Sequence, residues 1–152
     1  MQRFRRMLLV EDDQRDVELT LDALEEYNLA NEVDIARDGE EALDYFYFRG
    51  RFANRPPEAP AVVLLDLKMP KVSGLEVLRQ IKADENLRMI PVVVLSSSAE
   101  ERDVIESYQL GVNAYVVKPV DIQQFIEAIR KLGLFWVLLN EPPPDRNTAP
   151  AS

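Results

Sequence analysis

Six residues with side chains suited to chemistry stand at, or just beyond, the end of a short apolar run in this chain. Glu11, Asp12 and Asp13 follow Met7 to Val10, Asp66 follows Ala61 to Leu65, Ser96 follows Pro91 to Leu95, and Lys118 follows Ala114 to Val117. Carboxylates brought together repel and raise one another's pKa, which is costly unless a cation sits among them. The chain has no histidine and no cysteine, so such a cation would find only oxygen ligands. Magnesium then fits better than zinc, and it keeps waters in its remaining octahedral positions, one of which a phosphate oxygen can take. A carboxylate can attack phosphorus to form an aspartyl phosphate, with Mg²⁺, Lys118 and Ser96 neutralising or hydrogen-bonding the transferred oxygens. Taken singly, each residue has a plainer reading. Asp13 reads as a helix N-cap, Ser96 as a strand-end hydroxyl and Lys118 as a surface charge; only their shared position gives them joint meaning.

The elements that would create that position are legible as patterns. Met7 to Val10, Val33 to Ala36, Ala61 to Leu65, Pro91 to Leu95 and Ala114 to Val117 predict five strands. Helical spacing lies between them, as in Val17, Leu21, Leu24 and Leu75, Leu78, Ile81. Strand and helix in alternation predict an α/β, doubly wound parallel sheet with helices on both faces, whose functional edge lies at the carboxyl ends of the strands. Capping boxes predict helix starts at Asp38 with Glu41, Ser73 with Glu76, Ser98 with Glu101 and Asp121 with Gln124. Gly111 suits a left-handed helix stop. Residues 49–60, with Gly50, Pro56, Pro57 and Pro60, predict a long loop before the third strand.

Composition narrows the function classes. One domain is expected over residues 1–132, followed over 133–152 by an apolar, then proline-rich extension with no separate output domain. No apolar run reaches the roughly 18 residues of a bilayer span, so no membrane is expected. The basic start Met1 to Arg6 precedes too short an apolar run for an export signal, which makes the cytoplasm the expected compartment. A net charge of −9 argues against nucleic acid and for a protein or small-ion partner.

Leu9-Val10-Glu11-Asp12-Asp13, Leu64-Leu65-Asp66-Leu67-Lys68-Met69-Pro70 with Gly74 following, Ser96-Ser97 and Lys118-Pro119 together resemble the receiver domains of two-component response regulators, over residues 7–132. The resemblance implies a flavodoxin-like, five-stranded sheet in the order 2-1-3-4-5. It also implies Asp66 as phosphoacceptor and Mg²⁺ as cofactor, held by Asp12 and Asp66 directly, by Glu11 through a water, and by the backbone carbonyl of Lys68. Ser96 and Tyr115 match the hydroxyl and aromatic switch positions, and Lys118 the lysine that contacts the phosphoryl group. Such a protein is a switch charged by a histidine kinase, not a turnover enzyme. Glu11 departs from the frequent aspartate by one methylene. The loop 49–60, Gln123-Gln124-Phe125 and Phe135-Trp136 before prolines are similar to the small regulators paired with cyanobacterial and bacterial phytochromes, which implies a phytochrome-type kinase.

Other readings fit less well. A haloacid-dehalogenase phosphatase also uses a strand-end aspartate, but it requires a second aspartate two residues on, where Lys68 stands. A flavin module shares the strand order, yet Glu11, Asp12 and Asp13 would repel its phosphate. Output through contact with a downstream protein and an intermediate role in a phosphoryl relay both remain open. Leu134, Phe135, Trp136, Leu138 and Leu139 form an apolar cluster beyond the last helix that the sheet requires. They are expected to hold a homodimer, with a fold-back lid as the other way of burying them.

Overall fold

The structure, a computed structural model, describes residues 6–26, 28–29, 32–69, 71–97, 100–118 and 122–133. Every predicted apolar run is a strand, with bounds within one residue of expectation: β1 (Arg6–Val10), β2 (Glu32–Ala36), β3 (Val62–Leu65), β4 (Val92–Ser96) and β5 (Ala114–Val117). They alternate with α1 (Gln14–Glu26), α2 (Gly39–Phe46), α3 (Gly74–Ala83), α4 (Glu101–Gln109) and α5 (Ile122–Lys131). All strand pairings are parallel, in the order β2-β1-β3-β4-β5.

The period of two along each strand builds two cores. Leu8 and Val10 of β1 join Ala42, Tyr45 and Phe46 of α2 and Val77, Leu78 and Ile81 of α3. Met7 and Leu9 join Val17 and Leu24 of α1 and Phe125, Ile126 and Ile129 of α5. A one-residue slip would exchange the side chains of the two cores, and the observed register sets Leu9 beside Leu64 and Leu64 beside Val93. Among the described residues no helix is long and apolar enough to cross a membrane.

Two predicted helix starts appear as expected. Asp38 accepts from the Glu41 N–H at 2.8 Å and Ser73 from the Glu76 N–H at 3.2 Å. Their return arms are redirected: Glu41 accepts from the Arg37 N–H, and Glu76 pairs with Arg79. The box of Ser98 with Glu101 does not begin α4, whose N-cap is Glu100 without a side-chain cap bond. Ser98, Asp121 of the fourth box, and the expected dimer residues Leu134, Phe135, Trp136, Leu138 and Leu139 lie outside the described residues. Gly111 stops α4 at φ +100°, as its place after the apolar residues predicts.

Helix α4 is lightly seated. Ile105 is 47% and Tyr108 50% exposed, and the helix buries the hydroxyl of Ser107, which has no hydrogen-bond partner among the described residues. The loop 49–60 is more ordered than its prolines suggest. It contains a 3₁₀ turn over Gly50–Phe52, packs Phe52 edge-on against Tyr45, and sets Arg55 over both the Tyr45 and Phe48 rings at 3.8 and 4.0 Å.

Candidate functional site

The sheet carries its ladder one step past three strands, and those steps are site residues. The Glu11 N–H bonds Ala36 O, the Asp66 N–H bonds Val10 O, and the Lys118 N–H bonds Ser96 O, at 2.9, 3.0 and 2.7 Å. Each side chain therefore leaves the carboxyl edge from backbone held by a neighbouring strand. The loop after Asp66 is fixed from above by α3: the Gly74 N–H bonds Leu67 O at 2.9 Å. A Cβ on Gly74 would stand 2.1 Å from Asp66 O and 2.6 Å from Leu67 Cα, so only glycine allows this approach.

Glu11, Asp12 and Asp66 each offer a carboxylate oxygen, all within 4.8 Å of one another. Glu11 and Asp66 are buried, at 1% and 6% exposure, whereas Asp12 is exposed and opens the cluster to solvent. Lys118 enters from the other side. Its Nζ lies 2.6 Å from Glu11 Oε1, 3.0 Å from Asp16 Oδ2 and 3.7 Å from Asp66 Oδ2. The second oxygen of Glu11 accepts from the Asp13 N–H at 3.3 Å, and Asp66 Oδ1 accepts weakly from the Lys68 N–H at 3.4 Å. Burial pushes Glu11 up to about 7, ahead of the opposing hydrogen bond from Lys118. Burial likewise raises Asp66, against the lowering charge of Lys118. For Lys118, burial works downward, but its bonds to Glu11 and Asp16 hold it above the ordinary lysine value. Buried carboxylates with raised pKa values and one ammonium between them are the electrostatics of a site that favours additional positive charge. The all-oxygen donor set, open on the Asp12 side, fits a hard divalent cation.

Ser96 is fully buried at the end of β4, beside Val117 in the register. Tyr115, beside Val94, is partly buried against the α2–α3 core. Of the predicted residues, then, Glu11, Asp12, Asp66 and Lys118 meet. Asp13 does not join them: it caps α1, accepting from the Arg15 and Asp16 N–H groups at 2.8 and 3.2 Å. Sequence reasoning missed Asp16, because an acid in the first turn of a helix reads as a partner of the helix dipole.

The response regulator receiver domain model matches residues 7–130. The chain belongs to that family. This receiver is 39% identical over 131 residues to the response regulator Rcp1 of Synechocystis sp., covering 86% of this chain and 88% of Rcp1. Among solved structures it is similar to the bacteriophytochrome response regulator AtBRR, at 62% identity and a TM-score of 0.83, covering 92% of this chain and 100% of that one. It is also similar to the phosphorylated cyanobacterial phytochrome response regulator RcpA, at 39% identity and a TM-score of 0.75, covering 93% and 100%. The Mn²⁺-bound form of Rcp1 superposes with a TM-score of 0.73 at 37% identity, over 92% of this chain and 99% of Rcp1. The receiver fold is thus the one that the residue pattern implied, phytochrome response regulators are among the proteins this chain is similar to, and the acidic cluster fits a divalent-metal site.

Proposed function

We propose that this receiver is charged on Asp66 by a histidine kinase of the phytochrome type and signals by the conformational change that follows. One observation carries the reading: Asp66 is a buried carboxylate 3.7 Å from the Lys118 ammonium, within 4.8 Å of the Glu11 and Asp12 oxygens. A carboxylate oxygen of Asp66 forms the new bond to phosphorus as the P–N bond of a phosphohistidine breaks, its electron pair remaining on the imidazole. Lys118 stands where it can donate to an equatorial phosphoryl oxygen and offset the added charge. Asp12 and Asp66, with Glu11 through a water and the backbone carbonyl of Lys68, would hold Mg²⁺. Bound there, the ion supplies charge neutralisation for the phosphoryl oxygens. Ser96 and Tyr115 are the proposed switch residues, linking the site to the face of α4, β5 and α5.

The similar proteins support the choice of kinase, since AtBRR is a bacteriophytochrome response regulator and RcpA a phytochrome one. We read residues 1–132 as the working receiver, place the protein in the cytoplasm, and assign Leu134, Phe135, Trp136, Leu138 and Leu139 to a homodimer contact. Acetyl phosphate with Mg²⁺ tests the acceptor. Wild-type protein gains one phosphoryl group and Asp66→Asn gains none, because an amide cannot attack phosphorus. Phosphate mapped to any other residue by acid-quenched mass spectrometry refutes the assignment.

A further inference from the structure

We propose that Asp16 is a positioning residue for this site: by bonding Lys118 it fixes the direction in which the ammonium meets a phosphoryl group on Asp66. The proposal rests on the reading of Asp66 as phosphoacceptor.

A lysine ammonium has three N–H donors on a flexible four-carbon stem. Among the described residues two acceptors are within bonding distance of Lys118 Nζ, Glu11 Oε1 at 2.6 Å and Asp16 Oδ2 at 3.0 Å. Asp66 Oδ2, at 3.7 Å, is too far for a hydrogen bond. With the stem and two N–H groups fixed, tetrahedral geometry leaves one direction for the third. Asp16 is itself held, since its backbone N–H is bound by the Asp13 cap in the first turn of α1. Glu11 alone would leave Nζ free to pivot about a single contact and close onto Asp66 Oδ2. That pairing would tie up the charge of the attacking carboxylate and consume the donor needed by the incoming oxygens. Asp16 therefore keeps the ammonium between its neighbours, near the acceptor but not bonded to it. The Asp16 side chain is one-third exposed, so burial does not by itself demand that it pair with a cation.

Asp16→Asn and Asp16→Ala remove the same charge, but only asparagine keeps an oxygen that can accept from Lys118. With acetyl phosphate at saturating Mg²⁺, Asp16→Ala is expected to lose roughly tenfold in the rate of Asp66 phosphorylation, the scale of one lost bond to a charged group. Asp16→Asn should recover most of that loss. In metal-free protein, the Lys118 ammonium cross-peak in ¹⁵N NMR should persist in wild type and Asp16→Asn and vanish in Asp16→Ala, which alanine's good helix propensity keeps folded. Equal rates in wild type and Asp16→Ala overturn the proposal. Equal losses in both variants also overturn it, because charge alone would then account for the effect. If wild-type Asp66 takes no phosphoryl group, the acceptor assignment fails, while the ammonium signal still decides whether Asp16 holds Lys118.

Discussion

At the scale of single residues, the Lys118 ammonium governs the energetics of the site. Glu11 is 1% exposed and its side chain touches the ammonium at 2.6 Å, so removing Lys118 strands a carboxyl group that burial already disfavours as an anion. Lys118→Met is therefore expected to destabilise the metal-free protein by about 3 kcal/mol in urea unfolding, and adding Glu11→Gln should restore much of it. Unchanged stability in the single variant would mean that the pair is not a buried ion pair at all. Asp66, Glu11, Asp12 and Lys118 were legible because each stands at the end of an apolar run. The bond from Lys118 to Asp16 was not, since it joins residues 102 positions apart and nothing local to either end announces it.

The helices and loops differ in how far local signals determine them. Asp38 and Ser73 cap their helices through bonds three residues long, so a sequence motif suffices. Glu100 at the head of α4 makes no such bond, and a Ser–Glu spacing two residues earlier misled the assignment. Loop 49–60 was readable as a loop from its prolines. Its order comes instead from Arg55 over Tyr45 and Phe48 and from the burial of Phe52, tertiary contacts without a local signature. Helix α4 offers a direct test of its loose seating. Ser107→Ala removes a buried hydroxyl that has no partner and should raise stability by about 1 kcal/mol; a loss on calorimetry would mean that the hydroxyl is satisfied in solution. Helix α3 lies at the other extreme. Gly74→Ala should push back the Asp66 backbone and cut phosphorylation at least tenfold, about 1.4 kcal/mol in the barrier, with near-normal activity as the result that contradicts it.

Across the whole molecule, parallel pairing places all five carboxyl ends on one edge, so residues at positions 11, 66, 96 and 118 become neighbours without any local encoding of their contacts. That is why a one-dimensional list of strand ends was enough to bring together most of the candidate site. A divalent cation bound there would be linked to global unfolding. Mg²⁺ at 100 times its dissociation constant should raise the melting temperature by roughly 5–10 °C over EDTA, and Asp12→Ala should remove most of that rise. No shift in wild type counts against the ligand set. Sedimentation of the full chain beside a version ending at Leu132 tests the homodimer: the full chain is expected at twice the monomer mass at micromolar concentration and the shortened one as a monomer. A monomeric full chain, or an undiminished dimer after shortening, removes the role given to residues 134–139.

The contact between Lys118 and Glu11 spans 107 positions, and this bears on the protein's birth. During synthesis the acid cluster and Asp66 leave the ribosome well before the lysine does. A nascent chain of that length would hold the proposed acceptor Asp66 without its counter-charge until β5 and Lys118 follow. On the proposed reading, competence to be charged would arrive late, once β5 has paired with β4 and brought Lys118 to the edge.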